Sequence, residues 1–433
     1  MESVRVYIES FGCSTNLADG EVLAGCLARA GYSLVEDVAR ADLVLYNTCA
    51  VKGPTENRMI GILKKVSKDK KLVVAGCLPL INFQRLCKEV RFDGVVGPAA
   101  GEGIVGVVER VLRGEKVLAL EGARNAKPSL TLPRVRLNPV VGIIPISYGC
   151  LGSCSYCCVI LARGRLRSYA VGEIVDKVRR DLDTGVREFW LTSQDDACYG
   201  RDIGVSLPQL LEAVCSIEGD FKVRVGMMTP NMALNILEGL VKAYKNPKIF
   251  KFVHLPVQSG DDQILKNMRR FYSVAEFKRI IAAFRAEYPK ITVATDVICG
   301  FPGETDESFE RTLRLIEDVK PDVVNISKFF ARPKTPAAEM ADSVPFPKIK
   351  ERSAVVARLA KEIALERNQS WVGWEGEILV DEVGKVKGSW VGRNFAYKPV
   401  VIKEEANLLG KFVHVQIIET SPTYLKGKLI RHQ

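Results

Sequence analysis

Two kinds of hydrophobic pattern alternate along the first 120 residues of the chain. Short runs of alternating or continuous apolar residues predict β-strands, namely VRVYIESFG, ADLVLYNTCA, KLVVAGC and GVVG. Between them lie stretches such as GEVLAGCLARAG, in which apolar residues recur at helical spacing. Strands that alternate with helices form βαβ units, so residues 1–120 are predicted to be an α/β domain with a Rossmann-like parallel sheet.

Residues 121–139 break this pattern, because they are polar, basic and rich in proline, and they are predicted to be a linker. The alternation then resumes with a longer period. Six further strands are predicted, and a helical segment follows each of the first five: GIIPISYG, EFWLTSQ, KVRVGMM, KFVHLPV, ITVATDVICG and VVNISKFF. Such a block predicts a partial (β/α)6 barrel, in which active residues lie where strands end. A long helix over 345–369 completes the predicted central domain, residues 140–369.

The tail, residues 370–433, changes character again. Its strands are short and alternating, and glycine-containing turns separate them. This pattern predicts a small all-β barrel of the kind that many RNA-binding proteins carry.

Composition places the 433-residue chain among ordinary soluble proteins, with 47% hydrophobic and 26% charged residues. No apolar run is long enough to span a bilayer, and the N-terminus does not resemble a signal peptide, so we expect a cytoplasmic protein that does not bind membranes. The net charge of +11 is compatible with an RNA partner. A protein that is merely basic remains the alternative.

The cysteine and histidine content limits the kinds of metal site that the chain can form. The chain has twelve cysteines and only three histidines, His254, His414 and His432. A reducing compartment keeps thiols free, so metal binding or catalysis is a better interpretation of the cysteines than a disulfide framework. The shortage of histidine leaves thiolates as the expected metal ligands.

The strongest local motif is Cys150-x3-Cys154-x2-Cys157, which follows the first strand of the predicted barrel. Three thiolates on one loop can hold three irons of a [4Fe–4S] cube. The fourth iron could then chelate S-adenosylmethionine and reduce it to a 5′-deoxyadenosyl radical. A zinc site is the alternative, although zinc would need a fourth protein ligand. With this motif in this context, the chain is identified as a member of the radical S-adenosylmethionine superfamily.

Three more cysteines, Cys13, Cys49 and Cys77, each follow a predicted strand of the first domain. The carboxyl ends of parallel strands lie along one edge of a sheet, so these thiols should converge. They predict a second cluster, whose open iron could hold the sulfur to be transferred. The alternative is that they are small buried hydrophobic residues, which Cys26, Cys87 and Cys215 are expected to be.

The chain resembles the methylthiotransferase family, and within it the threonylcarbamoyladenosine tRNA methylthiotransferases of archaea and eukaryotes. The matching stretches run from end to end and include FGCSTNLADGE, NTCAVK, GCLGSCSYC, ARGRLRSY, HLPVQSG, MRRFYS, TDVICGFPGETDESF and VGRNFAYKPV. The resemblance implies a cluster-binding first domain, a radical S-adenosylmethionine barrel and a C-terminal TRAM barrel. Two positions depart from the family pattern, Asp196 in SQDD and Lys334 after Arg-Pro.

The resemblance also implies the reaction, in which C2 of N6-threonylcarbamoyladenosine at position 37 of tRNA gains a methylthio group. It implies two [4Fe–4S] clusters, S-adenosylmethionine, an electron donor such as a ferredoxin or flavodoxin, and a sulfur source. The rival reactions are methylthiolation of isopentenyladenosine in tRNA or of an aspartate in a ribosomal protein. A non-enzymatic iron–sulfur or zinc module that binds RNA is the alternative from another class.

The cofactor pocket is predicted at the strand ends of the barrel. Its predicted residues are Tyr156, Gln194, Asp195, Gln258, Ser259, Gly300 and Arg332. Glu304 lies in the same stretch as Gly300 and could instead cap the following helix.

Contacts to tRNA are predicted from arginines after the cluster loop and from basic and aromatic residues of the tail. These residues are Arg163, Arg165, Arg167, Lys387, Arg393, Phe395 and Lys398. Arginine suits phosphate or the threonyl carboxylate, and aromatic rings suit stacking on bases. The alternatives are a solvated basic turn and the core of the barrel. The roles of Cys158, Cys198 and Cys299, and the order of sulfur and methyl transfer, stay open.

Overall fold

The computed structural model describes residues 3–66 and 68–430, so His432 lies outside the described residues. The first domain is a six-stranded, wholly parallel sheet in the order β2-β1-β3-β4-β5-β6, which confirms the predicted parallel α/β fold. Its strands are β1 Arg5–Ser10, β2 Ser33–Val35, β3 Leu43–Thr48, β4 Lys71–Gly76, β5 Gly94–Val96 and β6 Val117–Ala119. Its helices are α1 Ser14–Arg29, α2 Gly53–Val66, α3 Leu78–Ile81, α4 Phe83–Glu89 and α5 Gly103–Leu112.

The segment 121–139 contains one short turn of 3-10 helix, further turns and bends, and no strand, and its role as a linker stays a prediction. It lies against helix α1. The Val135 amide donates to the Glu21 carbonyl at 3.0 Å, and a Cβ atom at Gly25 would lie 2.2 Å from the Pro133 carbonyl oxygen. The missing side chain at Gly25 therefore lets the linker pack directly on the helix.

The central domain contains two three-stranded parallel sheets, β7-β10-β11 and β12-β13-β14. A parallel bridge between Met227 and His254 joins them into the predicted six-stranded partial barrel. The strands are β7 Val141–Pro145, β10 Glu188–Thr192, β11 Lys222–Val225, β12 Phe252–His254, β13 Thr292–Cys299 and β14 Val323–Lys328, with the small antiparallel pair β8 Ser147–Tyr148 and β9 Arg167–Ser168.

Helices cover the outside of this barrel and bury one continuous apolar core. They are α6 Val159–Arg163, α7 Val171–Asp183, α8 Leu207–Cys215, α9 Pro230–Leu234, α10 Leu237–Ala243, α11 Asp262–Asn267, α12 Val274–Glu287, α13 Asp306–Val319 and α14 Phe346–Gln369. Helix α14 confirms the predicted long helix and packs against α13 and β14. None of the described helices is long and apolar enough to cross a membrane.

The tail forms a closed barrel of five strands in the order β15-β16-β17-β19-β18, which confirms the predicted all-β barrel. The strands are β15 Glu375–Val383, β16 Ser389–Arg393, β17 Pro399–Lys403, β18 Phe412–Thr420 and β19 Leu425–Leu429. Lys398 fixes this barrel to the central domain, because its Nζ lies 2.8 Å from Asp322 Oδ1 and 2.7 Å from Asn368 Oδ1. The ammonium of Lys398 is thus buried in an ion pair between domains, and its contact with RNA stays a prediction.

Candidate active site

The cysteines of the first domain meet at one sheet edge, as their positions after strands predict. Cys13 follows β1, Cys49 follows β3 and Cys77 follows β4, and these strands are neighbours in the sheet. Gly12, with φ +110°, lets the chain turn tightly here, since a Cβ atom at Gly12 would lie 2.9 Å from Cys49 Sγ. The side chains of Asn16 and Asn47 tie the two turns together: the Asn16 amide donates to the Phe11 carbonyl at 2.6 Å and to the Asn47 carbonyl at 3.2 Å, and the Asn47 amide donates to the Asn16 carbonyl at 2.6 Å.

The second cysteine group lies on the loop between β8 and α6. Gly149 begins this loop at φ +79°, where a Cβ atom would lie 2.0 Å from the Arg165 carbonyl oxygen. Ser155 fastens the middle of the loop to the end of helix α11, because its amide donates to Met268 at 3.0 Å and its hydroxyl to Asn267 at 2.8 Å. The positions of Cys150, Cys154 and Cys157 are thus set by backbone contacts on both sides.

Both cysteine groups open into the same cavity, which has a volume of about 610 Å³. Its walls include all six thiols: Cys13, Cys49, Cys77, Cys150, Cys154 and Cys157. The first three come from the N-terminal sheet and the others from the barrel, so the cavity exists only where the two domains meet.

The thiols suit iron–sulfur clusters rather than a single zinc ion. Burial raises the pKa of Cys150 to about 11 and that of Cys77 to about 12, and it also raises the pKa of Cys49 and Cys157. Such thiols are neutral near pH 7 unless a metal cation stabilises the thiolate, as iron does. Each triad offers three thiols, which can hold three irons of a [4Fe–4S] cube, whereas a structural zinc site needs a fourth protein ligand.

Of the three arginines after the cluster loop, Arg163 and Arg165 line the cavity, and Arg165 alone is exposed. Arg163 is buried, with its Nη1 2.7 Å from Asp19 Oδ2 and its Nη2 3.1 Å from Asn16 Oδ1. Arg167 donates to carbonyl oxygens of its own loop at 2.5 and 3.0 Å. The guanidinium groups of Arg163 and Arg167 hold the loop in place, and their contacts with RNA stay a prediction.

Three of the predicted cofactor residues line the cavity: Tyr156, Gln194 and Gln258. Tyr156 packs edge-on against Phe301, with ring centroids 6.4 Å apart. Gln194 Oε1 accepts a hydrogen bond of 2.6 Å from the Gly149 amide, which links the second barrel strand to the cluster loop. Gln258 has a left-handed backbone with φ +69°, an uncommon conformation for this residue type that is found often at functional sites.

Asp195 and Ser259 are buried away from the cavity, which corrects their predicted cofactor contacts. The Asp195 carboxylate accepts hydrogen bonds from the Thr229 amide at 3.0 Å, the Thr229 hydroxyl and the Cys198 thiol. It therefore orients Thr229, which does line the cavity. Ser259 Oγ accepts from the Asp261 amide at 3.2 Å and shapes the turn before helix α11.

Gly300 and Arg332 pack within the protein, and neither lines the 610 Å³ cavity. A Cβ atom at Gly300 would lie 2.3 Å from Ile349 Cγ1, so this glycine admits helix α14 rather than a ligand. Glu304 neither caps the following helix nor lines the cavity, since its Oε1 accepts from the Gly300 amide at 2.8 Å. Arg332 is buried in an ion pair with Glu56 of the first domain, at the edge of a smaller neighbouring cavity.

In the tail, Lys387 is exposed and Phe395 is partly exposed against the rings of Trp371 and Trp374. Arg393 is held by Asp381, whose Oδ2 lies 2.9 Å from its Nε. Arg393 is therefore less free to contact RNA than its sequence position suggests.

The cavity residues that were not predicted from the sequence include Arg270, His254 and Asp296. Arg270 Nη1 lies 3.5 Å from Cys154 Sγ. His254 Nε2 lies 2.9 Å from Asp296 Oδ1, which also accepts from Asn325 at 2.8 Å. Arg270 lies in MRRFYS and His254 in HLPVQSG, two stretches that were noted in the sequence. The sequence alone did not show that these two side chains face the cavity.

Comparisons with known proteins agree with this arrangement. Family models match three regions: "Radical SAM superfamily" at residues 144–316, "Uncharacterized protein family UPF0004" at 5–97 and "TRAM domain" at 369–430. The chain is 39% identical to the probable threonylcarbamoyladenosine tRNA methylthiotransferase of Pyrococcus horikoshii, over 99% of this chain and all of that one. It is 38% identical to the human threonylcarbamoyladenosine tRNA methylthiotransferase, over 98% of this chain and 74% of that one.

The chain belongs to the threonylcarbamoyladenosine tRNA methylthiotransferase family. This confirms the resemblance seen in the sequence. Among solved structures, this methylthiotransferase is similar to the radical S-adenosylmethionine methyltransferase TsrM of Kitasatospora setae, with a TM-score of 0.57 and 16% identity over 77% of this chain and 75% of that one. It is also similar to the cobalamin-dependent radical enzyme OxsB, with a TM-score of 0.54 and 10% identity over 88% and 62% of the chains. At these identities the likeness concerns the fold.

Proposed function

We propose that this enzyme adds a methylthio group to C2 of N6-threonylcarbamoyladenosine at position 37 of tRNA. The observation that carries the proposal is the single cavity lined by two cysteine triads from different domains. Relatives of nearly the same length are named for this reaction. A cavity of about 610 Å³ is in the range of small-molecule sites and can receive a nucleoside that is turned out of the anticodon loop.

Cys150, Cys154 and Cys157 would hold one [4Fe–4S] cluster together with S-adenosylmethionine, and Cys13, Cys49 and Cys77 would hold the other. When bound, these groups supply the electron, the hydrogen-abstracting radical, the sulfur and the methyl group. The protein holds both sets of ligands at the wall of one cavity, so the adenine base can meet both without leaving it.

Tyr156, Gln194 and Gln258 are placed to hold S-adenosylmethionine, since all three line the cavity beside the cluster loop. Tyr156 offers an aromatic edge to an adenine. Gln194 links the loop to the second barrel strand, and this would fix the position of the loop relative to the bound cofactor. The left-handed backbone of Gln258 turns its side chain toward the same space.

Two cations at the cavity can select the threonylcarbamoyl group. Arg165 and Lys334 are exposed, line the cavity and have no acidic partner in the described ranges 3–66 and 68–430. A free carboxylate distinguishes N6-threonylcarbamoyladenosine from isopentenyladenosine, and a guanidinium or ammonium can pair with it. This charge favours the threonylcarbamoyl substrate over the isopentenyl rival.

The tail barrel would hold the tRNA through Phe395, Lys387 and the remaining exposed basic residues. Because the proposed substrate is tRNA, we expect the enzyme to act in the cytoplasm. A donor such as a ferredoxin or flavodoxin would deliver the electron to the clusters, and a sulfur source would provide the sulfur that the N-terminal cluster holds for transfer.

Mass spectrometry of tRNA nucleosides from a deletion strain tests the proposal. We expect the methylthio form of N6-threonylcarbamoyladenosine to disappear and to return with the wild-type gene. It should stay absent with Cys150→Ala and return with Cys87→Ala, an exposed cysteine of helix α4 that lines neither cavity. Unchanged levels in the deletion strain, or loss of methylthio-isopentenyladenosine instead, would contradict the assignment.

A further inference from the structure

Arg270 is a buried arginine whose hydrogen-bond partners are either uncharged groups or a thiol of the cluster loop. Its Nη1 donates to Cys154 Sγ at 3.5 Å, its Nη2 to the Pro256 carbonyl at 2.9 Å and its Nε to Tyr272 Oη at 3.1 Å. The residue is only 7% exposed. Within the described part of the chain, no carboxylate forms an ion pair with it. Asp195 is near enough to feel its charge, but Thr229 and Cys198 already occupy both oxygens of that carboxylate.

The end of helix α11 directs this side chain inward. Arg269 adopts a left-handed backbone at φ +56°, its amide bonds to Lys266 at 2.9 Å, and the amide of Arg270 bonds to Leu265 at 2.9 Å. These are the two hydrogen bonds of a Schellman motif. The motif leaves Arg269 exposed and turns Arg270 toward Cys154, so two adjacent arginines face opposite environments.

A buried cation without an anionic partner is unfavourable. The anionic group beside Arg270 is the thiolate of Cys154 together with the cluster that it would hold. At the other triad the situation differs, because the buried Arg163 is already neutralised by Asp19 at 2.7 Å. Arg270 therefore brings a buried positive charge without an ion-pair partner into contact with the Cys150–Cys157 loop, within the described part of the chain.

We propose that Arg270 is a positioning residue that donates a hydrogen bond to the Cys154 ligand and raises the reduction potential of the cluster on that loop. This inference rests on the proposed function, which places a [4Fe–4S] cluster there. Reduction adds one negative charge to the cluster, and a neighbouring cation stabilises the reduced form more than the oxidised form. Hydrogen bonds to cluster sulfurs and local charge are known determinants of such potentials.

The test is a redox titration, followed by electron paramagnetic resonance, on the full-length chain carrying Cys13→Ala, Cys49→Ala and Cys77→Ala. Only the Cys150–Cys157 cluster then contributes to the signal. In this background we compare Arg270→Gln and Arg270→Met with Arg270→Lys and with Arg269→Gln, the exposed neighbour in the same loop.

We expect Arg270→Gln and Arg270→Met to lower the ratio of reduced to oxidised cluster about tenfold at a fixed potential, which is 59 mV for one electron. Arg270→Lys keeps the charge and should change the ratio less than threefold. Arg269→Gln should leave the potential unchanged, and all loaded variants should keep about four irons per chain.

An unchanged midpoint potential in Arg270→Gln and Arg270→Met with full iron content would overturn the inference. So would weaker binding of S-adenosylmethionine without a change of potential, because Arg270 would then serve the cofactor. Loss of iron from both variants would show a purely structural role and also overturn it. The proposed function stands or falls separately, on the nucleosides formed by the wild-type enzyme.

Discussion

Glu56 is a buried side chain of the first domain that binds to the barrel beside the active-site cavity. Its carboxylate is buried and bonds to Arg332 of the barrel, to Arg85 at 2.7 Å and to Asn82 at 2.8 Å. A buried ion pair adds little net stability, but removal of one partner leaves a charge without compensation in a dry environment.

The substitution Glu56→Gln should therefore lower the free energy of unfolding by about 3 kcal/mol. Chemical denaturation followed by circular dichroism measures this change. Glu102→Gln is the matched control, because the pair of Glu102 with Arg29 is solvent-exposed at 3.3 Å and should contribute less than about 1 kcal/mol. Equal effects of the two substitutions would show that burial of Glu56 does not matter.

Glu188 makes stability depend on pH at the contact between the barrel and the tail. Burial and the charge of Asp381 raise its pKa from 4.5 to about 7, although the hydrogen bond from Trp190 and the charge of Arg393 act to lower the pKa. The unfolded chain ionises near 4.5 and the folded chain near 7, so this group lowers stability as pH rises across that interval.

The substitution Glu188→Gln cannot ionise and keeps an acceptor for Trp190 Nε1, which lies 2.5 Å from Glu188 Oε1. We expect the variant to raise the melting temperature relative to wild type at pH 8 and to have little effect at pH 4.5. Calorimetry at the two pH values measures this difference. A gain of the same size at both pH values would contradict the raised pKa.

Glycines at strand ends give the cluster ligands their positions. Gly12, Gly76 and Gly149 each precede a cysteine of the site and have φ values of +110°, +91° and +79°. Two features therefore combine at these turns, a left-handed backbone that favours glycine and a close approach of neighbouring atoms.

The substitution Gly12→Ala should remove the N-terminal cluster, because the new Cβ atom would lie 2.6 Å from Cys49 Cβ. Iron content should fall from about eight to about four per chain, while the Cys150–Cys157 cluster persists. Gly61→Ala, in helix α2, is the matched control, since a Cβ atom there meets nothing within 4 Å. Full iron content in Gly12→Ala would show that the turn tolerates a side chain.

The helices and strands could be predicted from the sequence, but the ion-pair partners of charged side chains could not. Strand ends and cysteine spacing were enough to predict that Cys13, Cys49 and Cys77 converge, because parallel strands end at one edge. The ion pairs of Arg163 and Lys398 were not predicted, because their partners Asp19 and Asp322 come from distant elements. No local pattern in the sequence could show those ion pairs, and the inward direction of Arg270 depends on a left-handed residue that is not glycine.

At the scale of the whole molecule, the proposed active site lies at the interface between the first domain and the barrel. The N-terminal sheet contributes one triad, the barrel contributes the other, and the segment 121–139 and the Glu56–Arg332 pair hold the two domains in register. This arrangement explains why neither domain alone would complete the reaction. Each triad should therefore be removable without loss of the other.

The most direct test uses the purified, anaerobically reconstituted enzyme with tRNA that contains N6-threonylcarbamoyladenosine. One variant replaces Cys13, Cys49 and Cys77 by alanine, and a second replaces Cys150, Cys154 and Cys157. Iron, 5′-deoxyadenosine and the methylthio nucleoside are measured for each. We predict that each variant keeps about four irons, that only the first still cleaves S-adenosylmethionine, and that neither forms the methylthio nucleoside. Formation of that nucleoside by either variant would contradict the claim that both triads act on one substrate in one cavity.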